Sequence, residues 1–483
     1  MNLRLEHARA LTRREFLTRS GKLGLGAMAL EGLISNGRAA SEAVNPLAPK
    51  APPLPAKIKS VIYLSMSGAP PQHDLFDWKP ELVKHHMQDC PEQFLKGQTF
   101  AFIKGTPKLL GTQAKFAQYG QDGAWVSEHL PHFQKIVDDV VIVRSMNTNQ
   151  FNHAPAELFL HTGNMLAGSA SIGAWATYGL GSENQDLPGF VVLLSGGTDP
   201  TGGKATWGSG FLPSVYQGVQ CRAAGEPILY ANNPDGMSRE TRRQSLDALK
   251  ALNEAEVKQF GDPETVTRIA QYELAYRMQM AVPGVMDISK EKPETIEMYG
   301  AKPGEASFAN NCLLARRLVE QGVRYVHLFD WGWDMHGTGK DNDLLGGLPR
   351  KCMNVDQASA ALVQDLKQRG LLDSTLVVWG GEFGRTPMNE ARGGSTFLGR
   401  DHHPHAFTLW MAGGGLKRGQ VFGETDELGY FVTQDKVTVR DLQATIIHLF
   451  GLDPYKFSYR YQGLNNRLIG PTNEGQIVKG ILA

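Results

Sequence analysis

The composition of the 483-residue chain is that of a soluble globular protein, since 41% of its residues are hydrophobic, 20% are charged and the mean hydropathy is -0.28. Lysine and arginine together number 49, and so do aspartate and glutamate. A balanced charge gives no field that attracts nucleic acid or an anionic bilayer, so we predict no nucleic-acid partner. The apolar run at residues 23–34 is shorter than the about 20 residues of a membrane-spanning helix, so we also predict no transmembrane anchor.

Residues 1–40 have the pattern of a twin-arginine signal peptide. Arg13 and Arg14 are followed by Phe16 and Leu17, then by a weakly apolar, glycine-rich stretch that ends in small residues. This order predicts that the twin-arginine export machinery recognises the chain. The mature protein is then expected in the periplasm or outside the cell.

A proline-rich segment at residues 41–57 follows the signal and predicts an extended linker. Residues 58–483 show neither a repeat nor a break in composition, which predicts a single domain. The four cysteines are far apart and form no C-x-x-C pair, which excludes a compact thiolate zinc site. They can pair as disulfides in an oxidising compartment or remain buried thiols, and the sequence does not choose between the two.

Short apolar runs alternate with helical patterns along the predicted domain. The runs are rich in β-branched and aromatic residues, as buried strands are. These runs lie at residues 58–66, 139–145, 189–195, 323–330, 374–380 and 406–411. Helical patterns lie at residues 239–280, 307–321, 355–369 and 439–450, and the last three end at a glycine. The alternation predicts an α/β fold with a doubly wound, mostly parallel sheet sandwiched by helices.

Histidines and carboxylates follow the ends of several predicted strands. Functional groups in an open α/β sheet collect beyond the carboxyl ends of the strands, so these side chains are expected near one another. The candidate metal ligands are His73, Asp74, Asp334, His336, Glu382, His402, His403 and His405. Asp334 and His336 are two positions apart, which places both side chains on one side of an extended segment. Histidine together with carboxylate predicts a divalent metal ion, zinc or manganese first and calcium as an alternative.

Four segments resemble the bacterial DUF1501 family. They are FDWKP at residues 76–80, HAPAELFLHTG at residues 153–163, GGEFGRTP at residues 380–387 and GRDHHPH at residues 399–405. With the twin-arginine leader, the resemblance covers nearly the whole chain. The family in turn resembles a divergent branch of the alkaline phosphatase and sulfatase superfamily. That resemblance implies a metal-dependent α/β sandwich that hydrolyses phosphate or sulfate esters.

The resemblance breaks at the position of the sulfatase nucleophile. The sulfatase segment C-x-P-S-R-A-S-L-L-T-G is similar to residues 153–163, but His153 replaces the cysteine. The matching residues are Pro155, Leu160, Thr162 and Gly163. The later V-V-F-T-S-D-N-G segment is similar to residues 377–384, with Glu382 in place of a ligand aspartate. One superfamily metal site is therefore expected to be rebuilt or absent, and His153 is predicted to be a ligand or an acid/base.

The resulting prediction is an exported, metal-dependent hydrolase of phosphate or sulfate esters that acts by metal-bound water. Its catalytic residues are predicted to be His153, Arg385 and Arg400, with the arginines stabilising charge on the anion. The expected substrate is a small anionic ester or a sulfated or phosphorylated glycan. The alternative is a non-catalytic envelope protein that keeps the fold and binds an anion or glycan. The retained ligand residues favour the enzyme, whereas the replaced nucleophile favours the binding protein.

Replacing both Arg13 and Arg14 with lysine should leave the precursor in the cytoplasm, because the export machinery reads the arginine pair. Immunoblots of periplasmic and cytoplasmic fractions measure this directly. A control variant with lysine at Arg4 and Arg9, outside the pair, should be exported normally. Unimpaired periplasmic accumulation of the Arg13 and Arg14 variant would contradict the predicted route.

Overall fold

The computed structural model describes residues 45–98, 100–225, 233, 237–260, 263–472 and 474–483. The predicted signal peptide lies outside the described residues. Residues 45–57, within the predicted linker, contain no helix or strand and lie along the domain. Leu47 is buried there, and the Lys50 backbone N–H donates to Leu180 O over 2.9 Å. This part of the segment is therefore fixed to the domain surface.

Strands and helices alternate along the described residues. The strands are β1 (Ser60–Ser67), β2 (Phe116–Tyr119), β3 (Ala124–Ser127), β4 (Val140–Asn147), β5 (Phe190–Ser195), β6 (Val219–Cys221), β7 (Tyr325–Trp331), β8 (Thr375–Gly380), β9 (Gly384–Arg385), β10 (His402–His403), β11 (Phe407–Gly413), β12 (Gln420–Phe422), β13 (Glu424–Thr425), β14 (Val432–Gln434), β15 (Val437–Thr438), β16 (Tyr459–Tyr461) and β17 (Leu464–Asn466). The helices are α1 (Pro80–Lys84), α2 (His153–Thr162), α3 (Ile172–Leu180), α4 (Arg239–Phe260), α5 (Pro263–Met286), α6 (Pro293–Tyr299), α7 (Phe308–Glu320), α8 (Gly347–Gln368) and α9 (Val439–Leu449).

Within the described part of the chain, nine strands form one central sheet in the order β12-β4-β11-β8-β1-β7-β5-β6, with β15 also pairing with β4. β1 lies in the middle and runs parallel to β7 and β8, whereas β11 is antiparallel to β4 and β8. The doubly wound, mostly parallel α/β fold is confirmed, and the six predicted strands are β1, β4, β5, β7, β8 and β11. The edge strands β6, β12 and β15 have only two or three residues, too few to show a period in sequence.

Helices cover both faces of the sheet. Ser65 of β1 points to the face covered by α2, where it contacts His161, and Asp330 of β7 points to the other face, where it pairs with Lys351 of α8. The predicted glycine caps are confirmed, since α7, α8 and α9 are followed by Gly322, Gly370 and Gly451 with φ of 84°, 68° and 76°. α8 begins at Gly347 rather than at residue 355, and α4 and α5 share the long helical pattern.

The four cysteines are buried free thiols, so the second of the two alternatives holds in this structure. Burial raises the pKa of Cys90 to about 11 and that of Cys221 to about 12, which makes both thiols unreactive near neutral pH. Among the described helices, none combines the length and the apolar composition that crossing a membrane requires.

A polar cluster lies inside the core between β1, β7 and α2. Ser65 Oγ is 3.2 Å from His161 Nε2 and 2.8 Å from His327 Nε2, and both imidazoles pack against Tyr63. Burial lowers the pKa of His161 to about 3 and holds the pKa of His327 well below its usual range. Both histidines are therefore neutral in the folded protein. His161 lies in the core beside the central strand β1.

Replacing His161 with phenylalanine should flatten the pH dependence of stability. The pKa of His161 is about 3 in the folded state and 6.5 in the reference state, so the unfolded chain binds more protons between these values and stability falls as pH falls. In the variant, the free energy of unfolding should change less with pH, by up to about 1.4 kcal/mol per pH unit. Urea unfolding at pH 7 and pH 5 measures the free energy of unfolding, with the exposed His85→Phe as control. An unchanged slope in the His161 variant would contradict the assignment.

Candidate metal centre

Three histidines and one aspartate converge beyond the carboxyl ends of the central strands. They are His153, Asp334, His336 and His402, and their ligand atoms all lie within 4.8 Å of one another. The three histidines are buried, while the Asp334 side chain keeps 29% of its exposure. The four residues, called the metal cluster below, therefore open toward solvent on the side of Asp334.

The segment after β7 supplies Asp334 and His336. Their side chains point to the same side, as their spacing predicted, with His336 Nε2 only 2.8 Å from Asp334 Oδ1. Two glycines let other loops approach this segment. A Cβ at Gly68, which has φ of 107°, would lie 2.6 Å from Asp334 N, and one at Gly399 would lie 2.0 Å from the carbonyl carbon of His336. This close backbone packing therefore fixes the backbone positions of Asp334 and His336.

The other two histidines come from different elements. His153 is the first residue of α2, and His402 lies in β10, which pairs antiparallel with β9. In that ladder His402 lies opposite Arg385. Because side chains alternate along a strand, His402 points into the metal cluster and His403 points away from it.

The distances within the metal cluster fit a tetrahedral ion. Asp334 Oδ1 lies 3.2 Å from His153 Nε2, 2.8 Å from His336 Nε2 and 3.5 Å from His402 Nε2. The Nε2 atoms of His336 and His402 are 3.2 Å apart. Ligands bound tetrahedrally at about 2.0–2.1 Å from zinc are about 3.3 Å from one another. Four of the six donor-atom pairs thus lie near this separation, and all six lie within 4.8 Å.

Each histidine is oriented by a hydrogen bond from its other ring nitrogen. His153 Nδ1 donates to Glu382 Oε1 over 2.5 Å, and His402 Nδ1 donates to Phe151 O over 2.7 Å. His336 Nδ1 donates to Glu390, a fully buried carboxylate. With all three Nδ1 atoms held by acceptors, the three Nε2 lone pairs are available to a metal ion, an arrangement typical of histidine ligands in proteins.

Burial and neighbouring charges shift the pKa values of the cluster residues. Burial lowers the pKa of His153, but the hydrogen bonds to Asp334 and Glu382 outweigh it and raise the pKa to about 9. Burial lowers the pKa of His402 to about 3. Burial would raise the pKa of Asp334, but Arg385 and the neighbouring histidines hold it well below its usual range. An ion bound at His153 Nε2 would therefore have to displace a proton, and such binding would weaken as pH falls.

Glu382 lies behind His153 rather than in the metal cluster. Its Oε1 atom accepts from His153 Nδ1 and, over 3.0 Å, from the backbone N–H of Gly68. The sequence predicted Glu382 as a metal ligand. In the structure it holds and orients His153, because its Oε1 atom accepts these two hydrogen bonds.

The two predicted catalytic arginines are fully buried structural groups. Arg385 donates to Asp334, and its other N–H groups donate to the backbone oxygens of Gly68, Ala69 and Arg400. It therefore positions Asp334 and has no N–H directed at solvent. Arg400 instead makes a two-pronged ion pair with the Asp74 carboxylate, at 2.7 and 3.2 Å. This pair engages both partners, so the predicted ligand Asp74 and the predicted anion-binding Arg400 face each other in the structure rather than the metal cluster.

Three further predicted ligands lie outside the metal cluster. His73 Nε2 donates to Leu428 O over 3.1 Å, and burial holds the pKa of His73 well below its usual range. His403 Nε2 donates to Tyr430 O over 2.5 Å, and His405 Nε2 is 3.1 Å from the side-chain oxygen of Gln98. These hydrogen bonds tie the three rings to other parts of the fold.

Sequence reasoning missed three residues beside the metal cluster. Glu390 accepts from His336 and also from Arg392 Nε. The Arg392 guanidinium lies 3.4 Å from the centre of the Phe102 ring, and that ring packs edge-on against His336 and His402. The Arg392 side chain is 34% exposed, and one of its guanidinium nitrogens lies 3.0 Å from His336 Nδ1, so a cation lies behind His336. All three residues lie in loops without a recognisable motif, and no sequence signal could have located them.

Several solved structures are similar to this chain in fold, all at low sequence identity. The chain is similar to the PsFucS1 sulfatase from Pseudoalteromonas sp., at 13% identity and a TM-score of 0.36, over 81% of this chain and 68% of that one. A phosphonate monoester hydrolase from Silicibacter pomeroyi gives 12% identity and a TM-score of 0.33, over 89% and 76%. The alkaline phosphatase from the Antarctic bacterium TAB5 gives 11% identity and a TM-score of 0.27, over 76% and 93%.

No curated protein matches the sequence. A family model does match it, over residues 58–482, and is described as "Protein of unknown function (DUF1501)". The match covers nearly the whole predicted domain. The chain therefore belongs to the DUF1501 family.

Proposed function

We propose that this protein is an exported, metal-dependent hydrolase of phosphate or sulfate esters. The observation that carries the proposal is the convergence of three imidazole Nε2 atoms on one carboxylate oxygen, with each Nδ1 atom held by an acceptor. The same four side chains would be the ligands of an ion at their centre, which would offset part of the cost of burying them. Export rests on the Arg13 and Arg14 signal and is tested by the variant described above.

The ion best suited to this donor set is zinc. Three imidazoles and one carboxylate at tetrahedral spacing match zinc, whereas calcium prefers six to eight oxygen ligands. Manganese also accepts imidazole but favours octahedral, oxygen-rich sites. When bound, a zinc ion supplies a Lewis acid that polarises the ester and lowers the pKa of a water ligand toward about 7.

His153 acts in this proposal as a metal ligand rather than as a nucleophile. Its Nδ1 atom is committed to Glu382, and its Nε2 atom faces Asp334 Oδ1 at 3.2 Å. Neither nitrogen is therefore free to form a bond to phosphorus or sulfur while the ion is held. Hydrolysis then proceeds as a single displacement by water, without a covalent enzyme intermediate.

The anion-binding role moves from the buried arginines to Arg392. Arg385 neutralises and positions Asp334, whereas Arg392 keeps 34% of its side-chain exposure next to His336 of the metal cluster. A cation there can stabilise the charge that develops on the ester oxygens. Stacking on Phe102 limits the number of conformations that the guanidinium adopts.

Replacing His336 with alanine should lower the zinc content of the purified protein from about one equivalent to less than about a tenth, because a tetrahedral site loses one of its ligands. Elemental analysis by mass spectrometry gives the stoichiometry. The matched control is His405→Ala, whose ring bonds to Gln98 outside the cluster and whose loss should leave the zinc content unchanged. Stoichiometric zinc in the His336 variant would contradict the ligand set.

Replacing Glu390 with glutamine should weaken zinc binding by about 10-fold to 100-fold without abolishing it, the usual effect of losing a carboxylate behind a ligand histidine. The change keeps the size of the side chain and removes only its charge. Competition with a chelator of known affinity measures the dissociation constant. An affinity equal to that of the unaltered protein would show that Glu390 does not tune His336.

The zinc-loaded protein should hydrolyse 4-nitrophenyl phosphate or 4-nitrophenyl sulfate. Arg392→Gln should reduce kcat/KM by about 10-fold to 100-fold because one charge-stabilising group is lost.

With a chiral phosphate ester, a single displacement inverts the configuration at phosphorus. Retention of configuration, or a trapped phosphorylated His153, would contradict direct attack by water. Stoichiometric zinc without turnover of any ester would instead support the non-catalytic binding protein.

A further inference from the structure

Aromatic rings pack against every histidine of the metal cluster. The centre of the Phe102 ring lies 5.1 Å from that of His336 and 5.6 Å from that of His402, with the rings edge-on in both pairs. The Phe383 ring lies 4.7 Å from that of His402 and 4.9 Å from that of His153. The surroundings of the cluster are therefore largely apolar, although its own atoms are polar.

Two of the aromatic residues around the cluster also face solvent. Phe102 is 39% exposed, and the partly exposed Trp331 packs edge-on against His153 with 6.1 Å between the ring centres. Phe383 is only 1% exposed and lies beneath the cluster. Because the histidines are buried, a molecule that enters from solvent passes beside the two exposed rings. We call Phe102 and Trp331 the aromatic rim.

Buried polar contacts fix the loop that carries Phe102. Asp401 is fully buried, and its Oδ2 atom accepts from the backbone N–H of Phe102 over 2.7 Å and from that of Ile103 over 3.0 Å. Its Oδ1 atom accepts from the backbone N–H of His402 over 2.7 Å. One carboxylate thus joins the Phe102 loop to a member of the cluster. The ring is held in place before any ligand arrives, which lowers the entropy cost of binding.

The rim combines an apolar surface with a cation. The Arg392 guanidinium carbon lies 3.4 Å from the centre of the Phe102 ring, and one of its nitrogens lies 3.0 Å from His336 Nδ1. An anionic group that contacts Arg392 therefore has an aromatic ring beside it. This pairing fits a molecule with an anionic head and an apolar body.

The polar side chains near the rim are already engaged by the protein. Glu390 accepts from His336 and Arg392, and Asp401 accepts from three backbone N–H groups. Arg385 directs its N–H groups at Asp334 and at backbone oxygens. A hydroxylated group placed against the rim therefore loses water and gains few partners, whereas an alkyl group loses nothing that needs replacing.

We propose that the aromatic rim binds an apolar group of the substrate, so that the hydrolase acts on esters of alcohols with an alkyl body rather than on esters of sugars. The part that concerns hydrolysis rests on the proposed function, whereas binding of an apolar anion does not. Phe102 and Trp331 are the specificity-determining residues. Their rings supply contact area to the alkyl body while Arg392 attracts the anionic head.

Hexyl phosphate and glucose 6-phosphate compare an apolar with a hydroxylated alcohol of similar size, and both release a primary alcohol. The zinc-loaded protein should show a kcat/KM at least about tenfold higher for hexyl phosphate, because each buried CH₂ group strengthens binding by about fourfold. Phe102→Ala should remove most of this preference, whereas Phe102→Tyr keeps the ring and should retain it. The matched control is Tyr272→Ala, which removes a 44% exposed ring from α5 and should leave the preference unchanged.

Equal kcat/KM for the two esters, or an unaltered preference in Phe102→Ala, would overturn the proposal. The second variant, Trp331→Leu, removes the other ring of the rim and should also weaken the preference. The same comparison with hexyl sulfate and glucose 6-sulfate applies if the protein hydrolyses sulfates.

Hexylphosphonate has no ester bond, so its binding tests the rim apart from turnover. In titration calorimetry it should bind about tenfold more tightly than methylphosphonate, and Phe102→Ala should lose most of this difference. That result in a protein that hydrolyses no ester would support the rim and contradict only the proposed function. Equal affinity for the two phosphonates in a protein that hydrolyses esters would overturn the rim alone. Binding to phosphatidylcholine vesicles with equal affinity for the phosphonates would assign the rings to a lipid surface and also overturn the proposal.

Discussion

The hydrogen bonds on the three Nδ1 atoms determine what the metal cluster can do. An imidazole has two nitrogens, and the acceptor on one of them decides which tautomer forms and where the other lone pair points. Glu382, Glu390 and the carbonyl of Phe151 supply these acceptors. They come from three separate loops beyond the sheet. These loops must therefore fold correctly before the site can form. A change in any acceptor should alter the orientation or the protonation state of the histidine that bonds to it.

Buried arginines hold those loops together. Arg385 bonds to backbone oxygens on both sides of the cluster as well as to Asp334, and Arg400 joins the early Asp74 to the late segment before β10. Both side chains are fully buried. A buried charge that loses its partner costs several kcal/mol, so these contacts favour one arrangement of the loops over others. Their contribution is to geometry, and the partly exposed Arg392 is the cation that we propose meets an anion.

The sheet was predictable because buried strands and capped helices leave periodic patterns and glycine stops in the sequence. Asp334 with His336 was also predictable, since the spacing alone places both side chains on one side. The alternation of side chains along a strand predicts that His402 and His403 point to opposite sides. It does not predict which of the two points into the cluster. The roles of Arg385 and Arg400 could not be read from their charge, because burial and backbone partners decide them. Glu390 depends on the path of a loop without any pattern.

X-ray absorption spectroscopy of the zinc-loaded protein reports the atoms bound to the ion and so tests the proposed ligand set. We expect four light-atom ligands at about 2.0–2.1 Å, with the multiple scattering of three imidazole rings. His153→Ala, His336→Ala and His402→Ala should each lower the imidazole count or abolish binding. A spectrum with no imidazole contribution, or one that none of the three substitutions alters, would contradict the assignment of this cluster as the metal centre.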